Sequence, residues 1–314
     1  MSANLTYRYR LGFDTFAEVP SGDFESIQPA SHVVFGVPAD SLSERRSGTA
    51  SGPTAIREAT AEQISSYKRG GGDALIDLHT KEVTRLKLRP RVIDLGDLHN
   101  ARAPDVPTLA QVRAVVTGIR NKRSVPVMLG GDSALLAPFV AGLVSQEREL
   151  VYVLLSNTLI AGLDSSVGGV DPYAARAGSL IVGTCGLQSA SLWKTLAAAG
   201  IEIVSAETIH DHGIELIEKS VQRINGLGCD VCLLIDLEVV DSGYASGTPG
   251  IDIGGLTPKV FNGIVELLSS IKNVAGVAVV NCAPTLDARG HTEHLAAQGL
   301  LSIMRGVIFD RSIA

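Results

Sequence analysis

Two carboxylates, Asp236 and Glu238, stand two residues apart at the end of an apolar run over residues 230–239. Side chains along a strand alternate with period two, so if this run is a strand both acids share a face. Carboxylates that close repel. Without a cation, one of them must carry a raised pKa or meet an Arg, Lys or amide. The segment Gly130-Gly131-Asp132-Ser133-Ala134 sets a serine where a strand turns into a helix, a weak likeness to a nucleophile elbow that lacks the closing glycine. His291 and His294 open a helical pattern at a spacing that shares a face, but no carboxylate or third ligand is evident beside them. They read as a polar helix start. Cys229 and Cys232 form a lone CxxC inside an apolar run, and a tetrahedral zinc site needs two more ligands nearby, so they read as buried thiols.

The elements that must position these groups are short β-branched runs over residues 32–38, 91–97, 125–132, 150–157, 179–186, 201–208, 230–239 and 274–281. Helical patterns fall between them at 53–67, 109–120, 134–144, 189–199, 214–227, 258–271 and 291–305. This alternation predicts an α/β fold, a three-layer α/β/α sandwich with a mostly parallel central sheet. No linker rich in Pro, Gly or Ser divides the chain and no repeat appears, which predicts a single domain over residues 31–314 behind an N-terminal arm, residues 1–30. In such sheets the ligand crevice lies beyond the carboxyl ends of the strands. The loops there carry Asp40, Asp132 and Ser133, Ser156 and Thr158, Asp236 and Glu238, and Asn281. Asp40 and Arg46, with Gly48 and Gly52-Pro53, shape the crevice mouth either as a turn-forming segment before a helix or as ligand contacts. Asp94, Asp97 and Asp132 read as scaffold if they bond backbone N–H groups at strand ends.

Composition narrows the classes. The 314 residues are 45% hydrophobic and 19% charged with 13 prolines, so the chain can bury a sizeable core and is not disordered. Lys and Arg total 27 against 33 Asp and Glu, a net charge of −6 without a basic block, which excludes the electrostatic footprint of a nucleic-acid binder. Small neutral or cationic ligands and protein partners remain. The first 30 residues hold no apolar run suited to a signal peptide, and the stretch 125–144 is broken by Pro126, Gly130, Gly131, Asp132 and Pro138. The expectation is a cytoplasmic protein with no membrane role.

The crevice loops resemble the ureohydrolase family of arginases, agmatinases and guanidino-acid hydrolases, over nearly the whole chain from about residue 33 to 304. Gly36-Val37-Pro38-x-Asp40 is similar to the family's GVPxD, and Arg46-x-Gly48-x-x-x-Gly52-Pro53-x-Ala55-Ile56-Arg57 to its RPGxxxGPxAIR. Asp94-x-Gly96-Asp97 is similar to DxGD, and Gly130-Gly131-Asp132 to the first three residues of GGDH. Asp236-x-Glu238-x-x-Asp241 followed by Gly254-Gly255-Leu256-Thr257 is similar to DxDxxD and GGLT. Five ordered motifs make the likeness specific, and it implies an arginase-like fold.

The same resemblance implies a change of chemistry. In active relatives two Mn²⁺, or in some members Ni²⁺, are held by the His of GGDH, by DAHxD and by both acids of DxD. The corresponding positions here are Ser133, then Ser156, Thr158 and Ile160, then Asp236 and Glu238. Neutral hydroxyls are poor ligands for a pair of divalent ions, and Ile160 offers no lone pair. None of the seven histidines (32, 79, 99, 210, 212, 291 and 294) lies in the stretch where the family carries metal imidazoles and a proton shuttle. The family's guanidinium-orienting glutamate aligns with Asn281 of Asn281-Cys282-Ala283-Pro284. No catalytic residue and no bound metal are therefore expected in this chain. Because relatives form trimers and hexamers, the resemblance implies a non-catalytic subunit, inactive alone, beside a metal-bearing ureohydrolase paralogue. The partner's Ni or Mn would do the chemistry on linear amidine C–N bonds of a guanidine or biguanide. The alternatives are a regulatory homo-oligomer that binds a small metabolite in the emptied crevice, and a repurposed metal-independent hydrolase using Ser133, Ser156 or the remaining acids.

Overall fold

The computed structural model describes residues 7–8, 15–40, 46–69, 74–76, 83–89, 91–98, 106–144, 148–159 and 177–312. In chain order the strands and α-helices are β1 (Tyr7–Arg8), β2 (His32–Val37), α1 (Gly52–Arg69), β3 (Ala74–Ile76), β4 (Val83–Leu88), β5 (Val92–Leu98) and α2 (Val106–Asn121). There follow β6 (Val125–Gly130), α3 (Leu136–Leu143), β7 (Leu150–Leu155), β8 (Leu180–Thr184), α4 (Ala190–Ala198), β9 (Glu202–Ser205), α5 (Ala206–His212) and α6 (Glu215–Leu227). The last five are β10 (Asp230–Asp236), α7 (Pro258–Leu268), β11 (Val274–Val280), α8 (His291–Ile308) and β12 (Phe309–Ser312).

Among the described residues nine strands make one sheet in the order β1-β5-β2-β6-β11-β10-β7-β8-β9, and every pairing in it is parallel except β1 against β5. The central strands are near-continuous apolar runs because both faces are covered. Their alternation sorts the core: Leu129, Val153, Leu233, Ile235, Val277 and Val279 pack on one side, Met128, Leu154, Cys232, Leu234, Ala278 and Val280 on the other. Helices α1, α5, α6, α7 and α8 cover the first side, and α2, α3 and α4 the second. This is the predicted three-layer sandwich. No helix among the described residues is long and apolar enough to cross a membrane.

Local chemistry sets the element ends. Ser205 Oγ accepts the Thr208 backbone N–H at 3.1 Å, an N-cap that stops β9 and starts α5, so the strand predicted over 201–208 is cut short. Thr257 caps α7 in the same way, with Pro258 in its first turn. The run predicted as a strand over 230–239 ends at Asp236, and Leu237–Val239 form a 3₁₀ turn. A second, antiparallel sheet of β12, β4 and β3 was not predicted. Residues ahead of β2 are tied to the frame as well: Phe16 and Ala17 are buried, with N–H groups donating to Asp94 Oδ2 and Thr60 Oγ1, both at 2.9 Å.

Candidate functional site

Four adjacent strands, β6, β11, β10 and β7, end at one place and deliver Ser133, Asn281, Asp236 and Ser156 to it. The approach is close at Gly131, where a Cβ would stand 1.9 Å from the Ala39 carbonyl oxygen, so only glycine lets the β6 turn pass the end of β2. Asp132 caps the following turn by accepting the Ala134 N–H at 2.8 Å. That is the scaffold role expected of it.

The four groups answer one another. Asp236 is 2% exposed, and its Oδ1 accepts the Asn281 Nδ2–H at 2.9 Å and the Glu238 backbone N–H at 3.0 Å. Ser156 Oγ donates to Asp236 Oδ2 at 3.4 Å and accepts the Thr158 N–H at 3.1 Å. Asn281 Oδ1 in turn accepts the Ser133 N–H at 3.1 Å. Asn281 can do this because its backbone sits at φ 64°, a left-handed conformation that Asn tolerates better than most residues. An amide thus meets Asp236, one of the partners expected for the carboxylate pair. The shared strand face is corrected: Glu238 lies in the 3₁₀ turn, and its Oε1 accepts the Gly250 N–H at 2.7 Å. The Asp236 carboxylate itself caps that turn, which is the physical reason the strand stops there.

The mouth is built by loops bonded to each other. Both carboxylate oxygens of Asp40 accept the Gly48 N–H, at 3.0 and 2.8 Å, and Thr49 Oγ1 donates to Asp40 as well. Arg46 spends its guanidinium on carbonyls, those of Thr248 at 2.7 Å, Gly250 at 2.9 Å and Pro249 at 3.1 Å. Arg46 and Glu238 therefore hold the same loop from two sides. Asp241 fixes its neighbour by accepting from Gly243 and Gly254. Beneath, buried Arg57 reaches Asp94 at 2.8 and 3.0 Å and Asp97 at 2.6 Å. Burial opposes the Arg57 charge, but the two carboxylates outweigh it and raise its pKa. Asp94 also accepts from Phe16 and Gly96 backbone N–H groups, as expected of scaffold, whereas Asp97 works through this ion pair.

Asn157 lies in the strand-end loop expected at the crevice, whereas its neighbours Gln188 and Asp252 carried no sequence signal. Asn157, 1% exposed, bonds through Nδ2 to Asp252, while its Oδ1 is buried with no hydrogen-bond partner. Gln188 bridges the carbonyls of Asn157 and Cys185. The Cys185 thiol is raised first by burial and then by Asp252, Glu207 and Asp241, which marks this wall as electronegative and suited to a cationic or N–H-rich ligand. Ile160 lies outside the described residues. Neither Ser133 nor Ser156 hydrogen-bonds to a histidine among the described residues, and no three His, Cys, Asp or Glu side chains gather there as a metal-holding set. His294 opens α8, bonding the Gly290 carbonyl and Glu62, and Cys229 and Cys232 are buried free thiols.

Comparison with known proteins places this arrangement. Residues 30–155 and 170–306 match the Arginase family. The chain is similar to the formimidoylglutamase of Halobacterium salinarum, 26% identical over 287 residues covering 87% of each chain. It is also similar to the agmatinase of Bacillus subtilis, 22% identical over 294 residues covering 90% of this chain and 93% of the relative. Among solved structures, proclavaminate amidino hydrolase from Streptomyces clavuligerus superposes with a TM-score of 0.74 at 19% identity, over 95% of this chain and 97% of that one. Formimidoylglutamase from Bacillus subtilis superposes with a TM-score of 0.76 at 19% identity, over 98% and 95%. With residues 30–155 and 170–306 matched to the family, most of its length, this chain belongs to the arginase family.

Proposed function

We propose that this chain is a member of the family without a dinuclear metal centre, and that it serves as the non-catalytic subunit of a heteromeric guanidine or biguanide hydrolase. Metformin hydrolase is one mixed assembly of this kind. The paralogue would carry Ni or Mn and turn bound water into the nucleophile. The observation that carries the reading is the commitment of Asp236. Its carboxylate is spent on the Asn281 amide and the Glu238 backbone, beside the neutral hydroxyls of Ser133 and Ser156. This donor set does not fit two divalent ions, which need several carboxylates and imidazoles to offset dehydration and mutual repulsion. A folded partner that binds only the native subunit stabilises it by mass action, so the chain retains a use without chemistry of its own.

Elemental analysis of the purified chain, alone and with a candidate paralogue, tests this beside a urea-release assay. The expected result is substoichiometric metal and no urea from the chain alone, with both restored in a co-purified complex. Two tightly held transition-metal atoms per protomer of this chain alone would overturn the loss of the centre. A pair that never co-purifies, with the paralogue fully active by itself, would overturn the subunit role.

A second reading has its own support in the orphaned Asn157 Oδ1 on an electronegative wall, an acceptor suited to an N–H of a guanidino or amide metabolite. A homo-oligomer stabilised against heat by such compounds, and not by their N-alkylated analogues, distinguishes it from the subunit role.

A further inference from the structure

The opposite edge of the sheet carries a second concavity. At the amino ends of β2, β6 and β11 a cavity of about 560 Å³ opens between the sheet and the carboxyl-terminal ends of α7 and α8. β11 spans seven residues from Val274 to Val280, so this cavity lies roughly 20 Å from Asn281 at the far end of the same strand. Its volume falls within the range of small-molecule sites, about 300–1,000 Å³.

Its walls have two characters. Half-buried Val274, Ile303 and Val307 give an apolar wall backed by the core side chains of Val277 and Met304, while Arg89, Arg123 and Lys272 supply three cations, with no carboxylate among the lining residues. Arg89 is engaged, donating to the Gly306 carbonyl at 3.2 Å. Arg123 and Lys272 have no ion-pair partner among the described residues. Each is fixed at the root of a strand, one just ahead of β6 with a left-handed backbone at φ 57°, the other just ahead of β11. In the floor, the His32 Nδ1 is buried without a hydrogen-bond partner. Burial pushes this imidazole down to about 4, so at neutral pH it is an uncharged polar atom awaiting a partner.

We propose that this cavity is a binding site for a small carboxylate with an apolar acyl or aryl tail. The carboxylate lies between Arg123 and Lys272, and the tail runs along Val274, Ile303 and Val307. Two cations without a counter-charge among the described residues, at the rim of an apolar cavity, are complementary to an amphipathic anion. A bare inorganic anion would leave the interior unfilled, and an amphipathic amine would meet only like charge.

Isothermal titration of the full chain with octanoate, inorganic phosphate and octylamine tests this, with the oligomeric state followed by light scattering. Saturable octanoate binding is expected, weakened at least about tenfold by Arg123→Glu, the loss set by one charge-assisted contact. Ile303→Trp, which fills the cavity and leaves both cations in place, is expected to abolish it. Thermal melts establish that each variant is folded. The proposal is overturned if octanoate gives no saturable binding, if Arg123→Glu and Ile303→Trp both leave it unchanged, or if phosphate or octylamine binds as tightly as octanoate. It is equally overturned if the face is sealed between copies of this chain and takes no ligand.

Discussion

The two ends of the parallel strands handle polar groups in opposite ways. At the carboxyl ends, Asp236, Asn281, Ser156, Ser133 and Glu238 bond to each other and to backbone N–H groups, with Asn157 Oδ1 the unmet atom. At the amino ends, cations and a buried imidazole surround an open cavity without answering one another. A closed network stabilises the fold and leaves little to offer a ligand, whereas unpaired groups around a cavity cost stability until something binds. Among the described residues the polar groups at the carboxyl ends are thus largely bonded to one another, and those at the amino ends are not.

The comparison breaks most visibly at Arg57. Removing one member of a buried ion pair leaves uncompensated charge, so Arg57→Leu is expected to lower unfolding stability by about 3–5 kcal/mol, stranding fully buried Asp94. Asp97→Asn should cost far less, since its side chain is 31% exposed and water can replace the pair. Equal losses in urea denaturation would show that the network does not hold the frame as described.

The amino end predicts a pH limb. His32 has its pKa lowered from 6.5 to about 4 by burial, so the unfolded chain takes up the proton first. Its contribution is fully present above pH 6.5 and is lost as pH falls toward 4, amounting to at most about 3 kcal/mol. His32→Leu is expected to flatten that limb in chemical denaturation series between pH 7 and pH 4, and octanoate added to the native chain should shift it.

Asn281 sharpens the carboxyl end. Asn281→Asp keeps the shape and the tolerated left-handed backbone but sets a carboxylate against Asp236, so a loss of about 1–3 kcal/mol is expected at neutral pH. The loss should shrink in acid as one of the pair binds a proton. A loss that does not depend on pH would mean the amide matters for shape and not for charge. The smallest effect belongs to Arg46→Ala: its exposed guanidinium holds the carbonyls of Thr248, Pro249 and Gly250 where water can replace it, so the change should cost about 1 kcal/mol, with faster proteolysis near residues 248–250.

The legible part of the site followed from residue types at strand ends. Asp236, Ser133, Ser156 and Asn281 stood in loops after apolar runs, and parallel topology brings such loops together. Arg57 stood in a motif whose partners were read separately, because nothing in local spacing ties a helix residue to carboxylates about forty positions downstream. Asn157 stood in a crevice loop without a role of its own, and Gln188 and Asp252 carried no pattern at all. The small sheet of β3, β4 and β12 escaped because β3 and β12 are only 3 and 4 residues long and β12 comes from the far end of the chain, so its pairing with β4 is a tertiary fact.

The sequence by itself determined the layer order, since strand and helix periods alternate and each central strand is apolar on both faces. It also placed Ser133, Ser156, Asp236 and Asn281 at strand ends, because those positions are local. Only the tertiary structure decided that Asp236 would be answered by an amide reaching over from the next strand, and that Arg123, Lys272 and His32 would share one cavity. Both depend on strand order and register, which long-range packing sets and no short window of sequence contains.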